Sequence, residues 1–70
     1  MKFIWETQDI VPGRQLAHFS GKVYTIVSVD SKEKVNVGYA LLADNRVTPT
    51  YSPAQLVEMF NTQDCIPLSL

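Results

Sequence analysis

Turn-forming pairs cut this chain at short intervals: Pro12-Gly13, Ser20-Gly21, Asp44-Asn45 and Ser52-Pro53, with a charged break at Asp30 to Lys34. Most pieces between them are short, and the central ones are rich in β-branched residues, so the pattern reads as strands punctuated by turns. Val11-Pro12-Gly13-Arg14 has type II turn chemistry, because Pro presets φ at the second position and Gly supplies positive φ at the third. Lys22 to Asp30 (KVYTIVSVD) reads as the clearest strand, apolar on both faces through its middle, as in a strand of a small barrel or one covered on both sides. Beyond the charged loop, Val35, Val37, Tyr39 and Leu41 recur at period two and form one core face. Their partners Asn36, Gly38 and Ala40 are small or polar, leaving that face open to solvent or to a neighbouring backbone. Gly38 inside the strand predicts a bulge or a close backbone approach. Asp44-Asn45 fits a two-residue hairpin turn, and Arg46 to Tyr51 returns as an edge strand that tolerates Pro49.

Two weaker strand segments precede these. Lys2 to Glu6 alternates with Phe3 and Trp5 on one face, and Gln15 to Phe19 sets Leu16 against Ala17 and Phe19. The strongest local signal follows the meander. Ser52 at an N-cap, Pro53 at the first helical position and Gln55 three residues after Ser52 form a capping box. Leu56, Met59 and Phe60 then give a helix one apolar stripe, with Asn61 as its stop, so the predicted helix covers about residues 52–61. Cys65 to Leu70 reads as a last strand, with Ile66, Leu68 and Leu70 on one face and Pro67 confining it to an edge. The predicted fold is mainly β. It is a small SH3-like barrel or a strongly bent antiparallel sheet of about five strands, with one short helix before the last strand. The rival arrangement is an open antiparallel sheet with the helix across one face.

Size limits what such a fold can carry. Seventy residues give a single domain spanning 1–70. A chain of this length buries only about 60% of the surface its unfolded form exposes, so nearly every large apolar side chain is needed for the core. With 46% hydrophobic and 19% charged residues it is globular rather than disordered, yet little apolar surface is left over for a deep substrate pocket. The single cysteine excludes an internal disulfide, the first residues lack an apolar leader, and no stretch approaches membrane-spanning length. These features, together with an initial Met, predict a complete cytoplasmic unit without membrane contact.

Trp5, Asp9-Ile10, Pro12-Gly13-Arg14 at the start, and Ser52, Leu56, Phe60-Asn61 followed by a proline in the last strand, form a pattern that resembles small uncharacterised proteins of bacteria and their prophages. The resemblance spans most of the chain and rests on a turn, a cap and an apolar stripe. It implies a bacterial or mobile-element origin and an SH3-like type of barrel. It brings no functional residues with it.

Residue chemistry favours binding over catalysis. One His and one Cys, His18 and Cys65, fall short of a metal set, and no paired ligand spacing occurs. A Cys–His nucleophile pair would require the last strand to lie beside Gln15 to Phe19. Asp64 next to Cys65 opposes the lowered pKa such a pair needs. Asp9, Asp30, Asp44 and Asp64 all sit at turns or element ends, where Asp bonds locally. Gly13, Gly21 and Gly38 are isolated and form no phosphate loop. The expectation is a protein that is not an enzyme and needs no cofactor.

Seven aromatic residues remain to be placed. Phe3, Tyr39 and Phe60 are expected in the core, and Trp5, Tyr24 and Tyr51 are candidates for exposure as interface anchors. Six Lys and Arg against seven Asp and Glu leave a net charge of −1, and the cations are scattered, which disfavours generic DNA binding. The leading expectation is a small protein-binding module, an adaptor or inhibitor, with Trp5, Tyr24, Tyr51, Arg14 and Arg46 as its candidate interface. An edge strand pairing with its own copy would give a homodimer. The alternative is a nucleic-acid-binding small β-barrel, in which aromatics stack bases while Arg14, Lys22 and Arg46 meet phosphates. That alternative requires the three cations to converge on one face.

Overall fold

A computed structural model describes residues 3–29 and 38–68. One five-stranded antiparallel sheet runs in the order β4-β3-β2-β1-β5, from β1 (Gln15–Ala17), β2 (Val23–Val29), β3 (Gly38–Ala43), β4 (Arg46–Val47) and β5 (Ile66–Pro67). A 3₁₀ turn at Thr7–Asp9 precedes the sheet, and helix α1 (Pro53–Thr62) stands between β4 and β5. The mainly β fold with a helix before the last strand is therefore as expected. β4 and β5 are the two edges of the sheet. The charged loop at 30–34, the start of the 35–41 strand, and Leu70 lie outside the described residues.

Local chemistry accounts for the junctions. Pro12-Gly13 turns with Gly13 at φ 87°, and the Arg14 N–H donates to the Val11 carbonyl at 3.3 Å. Asp44 and Asn45 both adopt left-handed conformations (φ 53° and 63°), the pair that a two-residue hairpin twisting with its strands requires. At α1 the Gln55 N–H donates to Ser52 Oγ, and the Ser52 N–H donates to Gln55 Oε1, closing the capping box. The helix runs one residue past Asn61. It ends through Gln63 and a left-handed Asp64 (φ 53°), with the Cys65 N–H donating to the Phe60 carbonyl at 2.9 Å. That six-to-one bond is the Schellman closure, and it delivers Cys65 directly against Phe60 in the core.

The β3–β4 ladder contains one irregularity. Thr48 donates to the Leu41 carbonyl, while Tyr39 and Tyr51 exchange two backbone bonds of 2.9 and 2.7 Å. Pro49 and Thr50 therefore stand opposite Ala40 alone, a bulge at the position where Pro has no N–H to offer a ladder. The bulge folds Thr50 over β3, where a Cβ on Gly38 would run into Thr50 Cγ2. The close approach at Gly38 is therefore made by the Thr50 side chain, where the sequence pointed to a bulge or to backbone.

The concave face of the sheet carries the core. Leu16, Ile26 and Leu41 point into it, and Leu56 and Phe60 of α1, with Trp5, Ile10 and Cys65, complete the cluster. Phe60 is buried, and Phe3 and Tyr39 pack half-buried against the cluster, as expected of all three.

Phe3 to Glu6 is not a strand. The Trp5 N–H donates to Asn61 Oδ1 at 2.7 Å, and Asn61 Nδ2 donates to the Trp5 carbonyl at 3.2 Å. One amide side chain thus takes both backbone groups that a neighbouring strand would have used. Asn61 is a bracket within the helix rather than its stop.

Candidate functional site

Trp5 is the largest correction to the candidate interface. It is 1% exposed, its ring sits 4.7 Å from that of Phe60, and its Nε1–H donates to the Cys65 carbonyl at 2.8 Å. A side chain held on all sides is a core residue and not an anchor for a partner. Arg14 is likewise committed. Its guanidinium donates to the Asp9 carbonyl at 2.9 Å, lies 3.8 Å from the Asp9 carboxylate and is 18% exposed. It braces the 3₁₀ turn against the start of β1. Tyr51 is half-buried against the core cluster beside its bridge partner Tyr39.

Tyr24 and Arg46 remain, and the register brings them together. The β2–β3 ladder begins at Thr25 opposite Leu42, so Tyr24 and Ala43 stand one step beyond it on the same side. Ala43 pairs across β3–β4 with Arg46, and the three border one groove on the concave side. Ala43 is small and leaves a depression between the phenol ring and the guanidinium. Lys22, Asp44, Val47 and Thr48 complete the rim of a groove of about 420 Å³. Lys22 and Arg46 both border this groove, whereas Arg14 is held at Asp9, so the convergence of all three cations that the nucleic-acid alternative requires does not occur. Tyr24 and Thr48 also border a second, smaller crevice of about 100 Å³ between α1 and the sheet, lined largely by core residues.

That crevice contains both members of the hypothetical Cys–His pair, because β5 does lie beside β1. Their environment does not activate them. Ser20 N–H donates to His18 Nδ1 at 3.1 Å, which makes Nδ1 an acceptor and places the ring proton on Nε2, 2.7 Å from Gln63 Oε1. Both ring nitrogens are occupied by these partners. Burial pushes the Cys65 thiol pKa up, and the neighbouring Asp64 charge pushes it further. Iodoacetamide should therefore label native Cys65 near neutral pH roughly 100-fold or more slowly than the denatured chain, because reaction waits on opening. Equal rates in the two states would show the thiol to be exposed. The raised pKa also fixes a sign. Its contribution to stability is fully present below the ordinary thiol range and is lost as pH rises through the raised value, because only the unfolded chain ionises readily there.

The convex face of the sheet carries none of the five residues named as the candidate interface. Alternation places Val23, Thr25, Val27 and Val29 of β2 there, with Ala17 of β1, Leu42 of β3, Val47 of β4 and Ile66 of β5. Leu68 follows Ile66 by two residues, its N–H bonded to the Gln15 carbonyl. Val47 is 60% exposed and Ile66 50%, with Val23, Val29 and Leu68 also exposed. No strand position of this face among the described residues carries a charge. Val23 and Val29 of β2 are exposed on this side, against the reading of β2 as a strand covered on both sides, one of the two that its sequence offered. The period-two apolar run in the last strand is real, but Ile66 and Leu68 face outward while Cys65 faces the core.

Phe19 is the residue that sequence reasoning missed most clearly. It sits 74% exposed in the turn between β1 and β2, its ring 4.2 Å from the His18 ring. The adjacent Ser20-Gly21 turn was the available signal, since it ends the strand before Phe19. Among the described residues no group of three His, Cys, Asp or Glu side chains gathers as for a metal, and no helix is long and apolar enough to cross a membrane. Comparison with protein-family models, with curated proteins and with solved structures gave no match.

Proposed function

We propose that this chain is a non-catalytic binding module that docks another protein on the convex face of its sheet. The observation that carries the reading is that face itself: uncharged at its described strand positions, with Gln15 and Thr25 as its polar members, and with Val23, Val29, Val47 and Ile66 exposed on it although Ala40 beside them is buried. A small domain gains stability by burying such residues, and leaving them in water marks an interaction surface. Its chemistry asks for a partner with an apolar, uncharged patch, since an unpaired charge pressed against these valines would lose its hydration.

The edges contribute less than the face. β4 has two residues before Thr48 and Pro49, and β5 presents Pro67, which has no N–H, so among the described residues neither edge supplies a run of free backbone donors. A homodimer formed by edge pairing is therefore a weaker form of the same reading than docking through the face. The strand order, with the helix between β4 and β5, supports the SH3-like type, and the resemblance to bacterial and prophage proteins supports such an origin.

The test is an affinity pull-down with the tagged chain, with and without nuclease, comparing wild type with Val47→Asp and Ile66→Asp. Both positions are exposed, so circular dichroism should show folded variants. One protein retained after nuclease and reduced about tenfold or more by either aspartate supports the reading, as expected for a charge placed in an apolar contact. Retention unchanged in both variants overturns it.

A further inference from the structure

The groove on the opposite side of the sheet has a different chemistry. We propose that it binds a nucleoside phosphate, with the base lying on the Tyr24 ring and the phosphate held between Lys22 and Arg46. This goes beyond the protein-docking reading and uses other residues, apart from Val47 on their shared border.

Shape comes first. The volume of about 420 Å³ suits a small ligand, and the floor at Ala43 is low because the residues beside it in the groove are an aromatic and an arginine. The aromatic wall is fixed. Tyr24 packs on the core cluster and meets the His18 ring edge-on, centroids 5.9 Å apart at 86°, so a base would find a platform already in position. The His18 ring is itself held between Ser20 and Gln63.

Charge comes second. Among the described residues, Arg14 pairs with Asp9, whereas Lys22 and Arg46 have no carboxylate within ion-pair distance. Among the described residues that line the groove, two cations face the single carboxylate of Asp44, in a chain whose net charge is −1. A π face beside two cations matches a ligand that joins a planar ring to an anion. A bare anion would use only half of the site. A guanidinium can hold two phosphate oxygens, and the lysine adds a point charge.

The same chemistry is offered by a free mononucleotide and by one unit of a single strand, and the experiment separates them. The ¹⁵N-labelled chain is titrated with inorganic phosphate, with adenosine monophosphate and with an oligothymidylate of about eight nucleotides, at low and high salt. The expected result is movement of the Lys22, Tyr24, Ala43, Arg46 and Thr48 amide resonances with a nucleotide ligand, weakened by salt. Arg46→Glu, an exposed change, should lower that affinity by about tenfold or more. Tyr24→Leu should weaken nucleotide binding while leaving the response to inorganic phosphate in place. An octamer binding no tighter per nucleotide than the monophosphate assigns the site to free nucleotides, and a much tighter octamer assigns it to single strands.

No movement with either nucleotide ligand overturns the proposal. So does a response to inorganic phosphate as strong as that to the nucleotides, or one that Arg46→Glu leaves unchanged. Ile66→Asp, on the far face, should bind nucleotide normally while losing the protein partner, so the two readings fail separately.

Discussion

Trp5→Ala should leave the domain largely unfolded at room temperature. Removing a fully buried tryptophan costs about 3–5 kcal/mol, and the stranded Cys65 carbonyl adds about 1–3 kcal/mol more. A domain of this size has on the order of 4–10 kcal/mol in total. Trp5→Phe isolates the two contributions, since it keeps a ring against Phe60 and gives up the Nε1 bond. Circular dichroism during urea titration should show no cooperative transition for the alanine variant and an earlier midpoint for the phenylalanine variant. A Trp5→Ala protein that melts cooperatively within a few degrees of wild type would remove Trp5 from the centre of the core.

Gly38→Ala should cost about 1–3 kcal/mol, and Thr50→Ser should recover most of that loss. The added methyl meets Thr50 Cγ2, which is the group that serine lacks. Neither backbone strain nor an unusual φ is involved at Gly38, so the effect depends on the bulge that places Thr50 over β3. A double-mutant cycle by urea denaturation measures it as a coupling energy. Additive effects of the two substitutions would mean that the bulged strand yields at no cost and that the contact does not hold β4 in place.

How much of this was legible in the sequence depends on how far apart the partners lie. The Pro12-Gly13 turn, the Asp44-Asn45 hairpin and the Ser52 to Gln55 cap were readable because each is complete within four residues. The Leu56, Met59 and Phe60 stripe was readable because helical spacing alone sets it. Trp5 was misplaced because its partners are Asn61 and the Cys65 carbonyl, and nothing within its own neighbourhood distinguishes a core tryptophan from an exposed one. The same distance hid the bracket, since Asn61 followed by a polar run also reads as a helix end.

The two surfaces show the limit in another form. Tyr24 and Arg46 were singled out one at a time, and only the β2–β3–β4 register places them around one groove at Ala43. Arg14 carries the same charge but faces Asp9, a pairing that the intervening turn decides. The convex face was present in the sequence as valine and threonine at alternate positions of β2. A period of two names two faces, however, and does not say which of them the chain will cover.

The ties between Trp5 and the far end of the chain also set an order of events. Their sequence separations are 56 and 60 residues, so the segment before β1 cannot reach its final place until α1 and the start of β5 exist. During synthesis the β1–β2 and β3–β4 hairpins can form early, while Trp5 stays in water until Cys65 has left the ribosome. Its fluorescence should therefore lag behind strand formation in refolding, reporting the final closing step rather than the collapse that precedes it.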